Sequence, residues 1–179
     1  MTALILCPGV HDPGWTAGLM ACLRQGDLWP SGKMHRFFPP GQRAWSAYAL
    51  RRWLEATVEG GTPLVFLGFS AGCVAAISTA WACHHQGTYP VQAVIALDGW
   101  GVPLGGPFAT YRLSHDRYTH LTGGLLGQGD RAFYGEPAVP HAQLWQAPEQ
   151  VWGWSTRDQP EYITAAQFLA QCLATHALQ

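Results

Sequence analysis

Leu64-Val65-Phe66-Leu67-Gly68-Phe69-Ser70-Ala71-Gly72-Cys73-Val74-Ala75-Ala76 is the stretch whose reading decides the fold. An apolar run, 64–67, leads into Gly68-Phe69-Ser70-Ala71-Gly72, and a run of small, helix-compatible residues, 71–80, leads out. A G-x-S-x-G pattern by itself is weak in a glycine-rich chain. Strand, sharp turn and helix around the serine are the context that a nucleophile elbow requires. In such a turn the serine holds a strained backbone conformation and its hydroxyl stands clear at the tip of a sheet. The flanking glycines are needed because a Cβ at either place would collide with the neighbouring strand or helix. The plainer alternative is an ordinary strand-to-helix turn with a capping serine.

Outward from the elbow, strands and helices alternate with no linker and no repeat. Ala3–Cys7 reads as a first buried strand, closed by Pro8-Gly9, and 16–25 as a short helix. A second strand, 35–38, stops at Pro39-Pro40-Gly41. Segment 43–57 has helical periodicity, with Trp45, Tyr48, Ala49, Trp53 and Leu54 on one face. Leu64–Phe69 is the elbow strand and 71–83 its helix; Val91–Leu97 is another continuous apolar run. Further strands are predicted at 109–113 and 142–146. Asp158-Gln159-Pro160-Glu161 then reads as a helix start for a segment reaching about residue 173. Near-continuous apolar strands alternating with helices imply a mostly parallel sheet of about six strands with helices on both faces.

At the Ser70 elbow the chain resembles the α/β-hydrolase superfamily. The resemblance implies a minimal, single-domain version of that fold spanning residues 1–179. Six strands are fewer than is usual there: a peripheral hairpin is expected to be missing, and no segment is long enough for a lid.

Composition agrees. The chain has 179 residues, 48% hydrophobic and only 12% charged, with a formal net charge of −1. It is long enough to bury a real core. No like-charge run recommends nucleic acid or an anionic membrane as a partner. The five cysteines, Cys7, Cys22, Cys73, Cys83 and Cys172, have no C-x-x-C spacing and read as buried thiols in a reducing compartment. The N-terminal apolar run lacks a basic flank and is too short to span a membrane, so a cytoplasmic location and no transmembrane segment are expected. His84-His85 has no carboxylate or cysteine at ligand spacing beside it, and no metal is expected. Neither a dinucleotide nor a nucleoside triphosphate fingerprint occurs, and the resemblance implies no cofactor.

In a parallel sheet, chemistry collects at the carboxyl ends of the strands, and this ranks the polar candidates. Cys7-Pro8-Gly9-Val10-His11-Asp12-Pro13-Gly14 is similar to the loop that donates one oxyanion-hole N–H in this superfamily. The amides of Val10 and Ala71 are then the implied pair. His11 and Asp12 lie on the same rim. Two residues compete for the triad acid. Asp98, after Val91–Leu97, resembles the lipase arrangement; Asp116, after the next strand, occupies the position more usual across the superfamily. Asp98 is preferred on chain order: with His120 as base, Asp116 is only four residues away in the same loop, whereas Asp98 comes from a separate, fixed strand end.

The histidine departs from the family pattern. A superfamily triad histidine normally follows the last strand, yet Val151-Trp152-Gly153-Trp154-Ser155 has tryptophan there. Of the eight histidines, His120 is preferred as base and His115 comes next, since both follow the fifth predicted strand. His141 begins the predicted strand 142–146, which puts it at the wrong edge.

Four of the nine tryptophans, Trp15, Trp100, Trp152 and Trp154, fall near the active rim and suit a small or medium apolar acyl or aryl group. The expected function is a serine hydrolase cleaving an apolar ester or thioester through an acyl-enzyme on Ser70. The alternative is a ligand- or protein-binding module on a hydrolase scaffold lacking a complete triad. Acyl transfer to an acceptor other than water would use the same residues.

Overall fold

The most apolar segments occupy the middle of a mixed sheet. The computed structural model describes residues 2–25, 35–39, 43–156 and 159–177. Its strands are β1 (Ala3–Cys7), β2 (His35–Phe37), β3 (Leu64–Phe69), β4 (Val91–Leu97), β5 (Ala109–Ser114), β6 (Arg131–Gly135), β7 (Trp152–Thr156) and β8 (Glu161–Thr164). They pair in the order β2-β1-β3-β4-β5-β6-β7-β8. Pairing is parallel from β2 through to β6, and antiparallel from β6 to β7 and from β7 to β8.

The helices are α1 (Pro13–Gln25), α2 (Ala47–Thr57), α3 (Ala71–Gln86), α4 (Arg117–Gly124), α5 (His141–Gln146) and α6 (Ala165–Ala177). Two core clusters lie on opposite faces of the sheet, as the two-residue side-chain period of strands demands. Leu4 and Leu6 of β1 and Val65, Leu67 and Phe69 of β3 pack with Leu19 of α1, Trp145 of α5 and Phe168 of α6. Ala3, Ile5 and Cys7, with Leu64 and Phe66, pack on Leu50 and Leu54 of α2 and Ala76 and Ala80 of α3. All five cysteines are buried and unpaired.

The order reverses at β1: the chain passes to β2 on one side and returns to β3 on the other. The crevice of an open α/β sheet forms at such a switch, outside the carboxyl ends of the strands. Here those ends carry the Pro8–Gly9 turn and the Ser70 elbow.

Several sequence expectations are corrected. Among the described residues the sheet has eight strands, not about six. The extra strands are β6, β7 and β8, and β7 and β8 add an antiparallel edge. Segment 142–146 is not a strand but lies within helix α5, with Leu144 and Trp145 buried. Six residues are too few for periodicity to separate a helix from a strand. The C-terminal helix starts at Ala165, and β8 occupies 161–164 where its first turn was expected. Asp158, read as its cap, lies outside the described residues. Helix α2 begins at Ala47 because Ser46 caps it, its hydroxyl accepting from the Ala49 N–H at 3.2 Å. Its buried positions are Leu50 and Leu54, while Tyr48 is exposed.

Candidate active site

Ser70 stands at the junction of β3 and α3 with φ 51° and ψ −122°, a left-handed backbone that an L-residue adopts only under constraint. The constraint is close packing. A Cβ on Gly72 would lie 1.9 Å from the Cys7 carbonyl oxygen, and one on Gly68 would lie 2.9 Å from Cys73 Cα. The Ser70 N–H continues the ladder by donating to the Leu97 carbonyl at 2.9 Å. Asp98 therefore follows immediately beside Ser70, on the neighbouring strand end.

Asp98 also has positive φ, 49°, which turns the chain sharply after β4. Its N–H donates to the Leu113 carbonyl at 2.8 Å, tying this turn to β5. The buried Arg112 guanidinium supports the following loop by donating to the carbonyls of Gly99, Val102 and Gly127, at 3.2, 3.2 and 2.9 Å. Nothing in the sequence around Arg112 signals this bracing role.

The Asp98 carboxylate is almost fully buried and accepts three hydrogen bonds. Oδ1 takes the His115 backbone N–H at 2.9 Å. Oδ2 takes Nδ1 of His115 at 2.9 Å and Nδ1 of His141 at 2.7 Å. Burial, the largest single influence, pushes its pKa up; the bonds from His115 and His141 and the His115 charge outweigh it and leave the carboxyl below its ordinary value.

His141 reaches this place because β6 is parallel to β5 and the segment after it folds back over the sheet edge. The Val139 N–H donates to the His115 carbonyl at 3.2 Å, and α5 then begins at His141. The imidazole stacks on Phe69, with ring centroids 4.6 Å apart and planes 23° from parallel. Its Nε2 makes no hydrogen bond among the described residues. Placing 142–146 on a strand had put this histidine at the wrong edge. The region of Gly153 is β7, antiparallel to β6, so the last parallel strand is β6 and the histidine after it is His141.

His115 is placed differently. Its Nδ1 is on Asp98, and its Nε2 lies 3.2 Å from Asp116 Oδ2. The Asp98 hydrogen bond raises its pKa most; burial opposes, and the charges of Asp98 and Asp116 add to the rise. Asp116 also caps α4, accepting from the Thr119 N–H at 2.6 Å.

The structure does not bring His120 to Ser70 and Asp98. Its ring packs against Tyr134 at 5.0 Å and its Nδ1 is buried without a hydrogen-bond partner. Burial, then Arg112 and Arg117, lower its pKa.

Ser70, Asp98, Trp100, His115, Tyr118 and His141 line one cavity of about 490 Å³. Ala71 lines it too, at the start of a helix whose N-cap makes no side-chain hydrogen bond. Val10 does not line it, although Gly9 before it packs on the elbow: a Cβ there would lie 3.1 Å from Ser70 Cβ and 3.6 Å from the Ala71 nitrogen. Asp12 is engaged at the start of α1, accepting from the Gly14 N–H at 2.7 Å, and His11 stacks on Trp15. Of the rim tryptophans, Trp100 faces the cavity, whereas Trp152 and Trp154 pack with Tyr162 at the β7–β8 edge.

A larger depression of about 1110 Å³ lies elsewhere, among α1, α5 and α6, and includes Cys22, Gln146 and Trp152. Its Cys22 thiol is pushed up to about 11, by burial first and then by Glu149, and is a poor nucleophile. Ser70, Asp98, His115 and His141 line the smaller cavity instead. The ligand atoms of Asp98, His115 and His141 lie within 4.8 Å of one another, a spacing that a small cation could bridge. Both Nδ1 atoms already bond the same carboxylate oxygen, so these groups satisfy one another directly.

Among the described residues, no helix is long and apolar enough to cross a membrane. No family model matches the chain, and no curated protein matches it. A solved structure, YbtT, a type II thioesterase from the yersiniabactin NRPS/PKS biosynthetic pathway, is similar in fold. The two share 16% sequence identity with a TM-score of 0.54, over 99% of this chain and 94% of that chain. The elbow at a parallel strand end, the topological switch beside it and this likeness agree: the chain has the α/β-hydrolase fold.

Proposed function

We propose that the protein is a serine hydrolase that cleaves small or medium apolar esters or thioesters through an acyl-enzyme on Ser70. The observation that carries this reading is the Asp98–His141 pair. His141 gives Nδ1 to a buried carboxylate and keeps Nε2 unbonded, in the cavity that holds Ser70. His115 is a poorer base, since both its ring nitrogens face carboxylates.

In this scheme Ser70 Oγ attacks the substrate carbonyl carbon while His141 Nε2 takes the hydroxyl proton. Asp98 holds the imidazole in the right tautomer and stabilises the imidazolium that forms. The amide of Ala71, with that of Val10 brought over it, meets the developing oxyanion. His141 returns the proton to the leaving alkoxide or thiolate. Water then attacks the acyl-enzyme with His141 again as base, freeing the acid and Ser70. Trp100, Tyr118 and Val74 favour an apolar acyl group, and the thioesterase likeness favours a thioester among the substrates. A fluorophosphonate probe should label the wild type and not Ser70→Ala; folded protein that resists labelling would count against the proposal.

A second reading rests on one observation: Ser70 Oγ makes no hydrogen bond to either imidazole. A binding module on a hydrolase scaffold would have this geometry. Resting enzymes often show long catalytic contacts that tighten only with substrate, which keeps hydrolysis ahead. The same labelling separates the two.

A further inference from the structure

His115 lies against two carboxylates at once, hydrogen-bonded to Asp98 and at ion-pair distance from Asp116. Nδ1 lies 2.9 Å from Asp98 Oδ2 and Nε2 lies 3.2 Å from Asp116 Oδ2, while the backbone N–H holds Asp98 Oδ1 at 2.9 Å. A neutral imidazole has one donor and one acceptor nitrogen. In that form a lone pair would press on a carboxylate oxygen. Only the imidazolium meets both carboxylates with positive charge. The groups facing it are Asp98 from the end of β4, Asp116 from the start of α4 and His141 from α5, whose ring centroid is 5.8 Å away. The nearby Arg112 of β5 is committed to backbone carbonyls.

We propose that His115 is a charged positioning residue of the active site: its imidazolium, held between Asp98 and Asp116, clamps the triad acid and sets the lower pH limit of the reaction. The inference rests on the Ser70–His141–Asp98 reading. Two bonds from one residue fix the plane of the carboxylate, so Oδ2 addresses His141 and its Nε2 is left for Ser70. The same cation competes for Oδ2. Asp98 is then a weaker counter-charge for the imidazolium that forms at His141 during the reaction than an unshared carboxylate would be. Asp116, the cap of α4, keeps the cation in place.

The test is the pH profile of kcat/KM with p-nitrophenyl butyrate, in wild type and in His115→Gln. That amide can still donate to Asp98 but carries no charge. Removing the cation should move the acidic limb up by about one pH unit, the scale of unit-charge repulsion at this separation in a partly hydrated site. Below the limb the variant should then be about tenfold slower. A uniform loss at every pH, with the limb unmoved, would mean a merely structural role and overturn the proposal. Should His115→Gln not fold, nitrogen-15 NMR of the wild-type imidazoles decides. His115 should carry both ring protons at pH 7, and a neutral His115 there also overturns it. Wild type inert to both the ester and a fluorophosphonate would sink the hydrolase reading instead, and the NMR result would still judge the charge on His115.

Discussion

Phe69, the residue immediately before the elbow serine, lies face to face with His141, their ring centroids 4.6 Å apart. Its other neighbour in the stack is the buried Trp145, at 5.2 Å and 17°. The strand that presents Ser70 thus also carries the aromatic wall that sets the plane of the imidazole. Aromatic pairs of this kind contribute about 0.5–1.5 kcal/mol beyond their buried area. Phe69→Leu should lower kcat about three- to tenfold with little change in KM for a small ester, as steady-state kinetics would reveal. A change confined to KM would mean that Phe69 touches substrate instead.

Loss of the proposed base should be severe and specific. His141→Gln should reduce turnover by about 10⁴, the scale seen when a triad is disabled, whereas His120→Gln should stay within about twofold of wild type. His120 packs on Tyr134 away from the cavity, so the converse outcome would require α4 to rearrange before catalysis.

The two acids should separate in the same assay. Asp98→Asn keeps shape but removes the acceptor that fixes the His141 tautomer, and about 10⁴ in kcat should go with it. Asp116→Asn should cost less than about tenfold, because Asp116 caps a helix and contacts His115 alone of the two histidines. Equal losses would argue against Asp98 as the acid.

Stability should depend on pH in two windows. His115 is raised above its unfolded value, so its contribution is fully present below about pH 6.5 and fades as pH rises through the folded value. Asp98 is lowered, so its contribution is present above about pH 3.9 and fades as pH falls through the folded value. The melting temperature of His115→Gln should therefore lie furthest below wild type near pH 5.5, and the gap should narrow toward pH 9. A gap that widens with pH would reverse the assigned direction.

Gly135 ends β6 against the backbone just after β5: a Cβ there would lie 2.6 Å from the His115 carbonyl oxygen. That carbonyl anchors Val139 two residues before His141. Gly135→Ala should destabilise the fold by about 1–3 kcal/mol in urea titrations, and should lower activity even where the protein remains folded. Unaltered kcat in folded protein would show that this anchor does not place His141.

The elbow was legible in the sequence because its determinants are local. Apolar residues 64–67, two glycines around a serine and a run of small residues describe strand, strained turn and helix without reference to anything distant. Asp98 at a strand end was legible for the same reason, since the continuous apolar run 91–97 defines that end. The partner imidazole was not. Arg131–Gly135 is five residues long and becomes a strand by pairing with β5, and His141–Gln146 is a helix whose Leu144 and Trp145 are buried by α1 and the sheet. With β6 unseen and α5 taken for the last strand, His141 fell at the wrong edge and the triad histidine was looked for at 151–155, which is β7. The sequence by itself determined the Ser70 turn and the position of Asp98 through patterns within a few residues, and the parallel core through its continuous apolar runs. Which imidazole meets Asp98 was decided only by the tertiary structure, because strand pairing and backbone anchoring join residues 98, 115 and 141, and no local pattern encodes contacts across such separations.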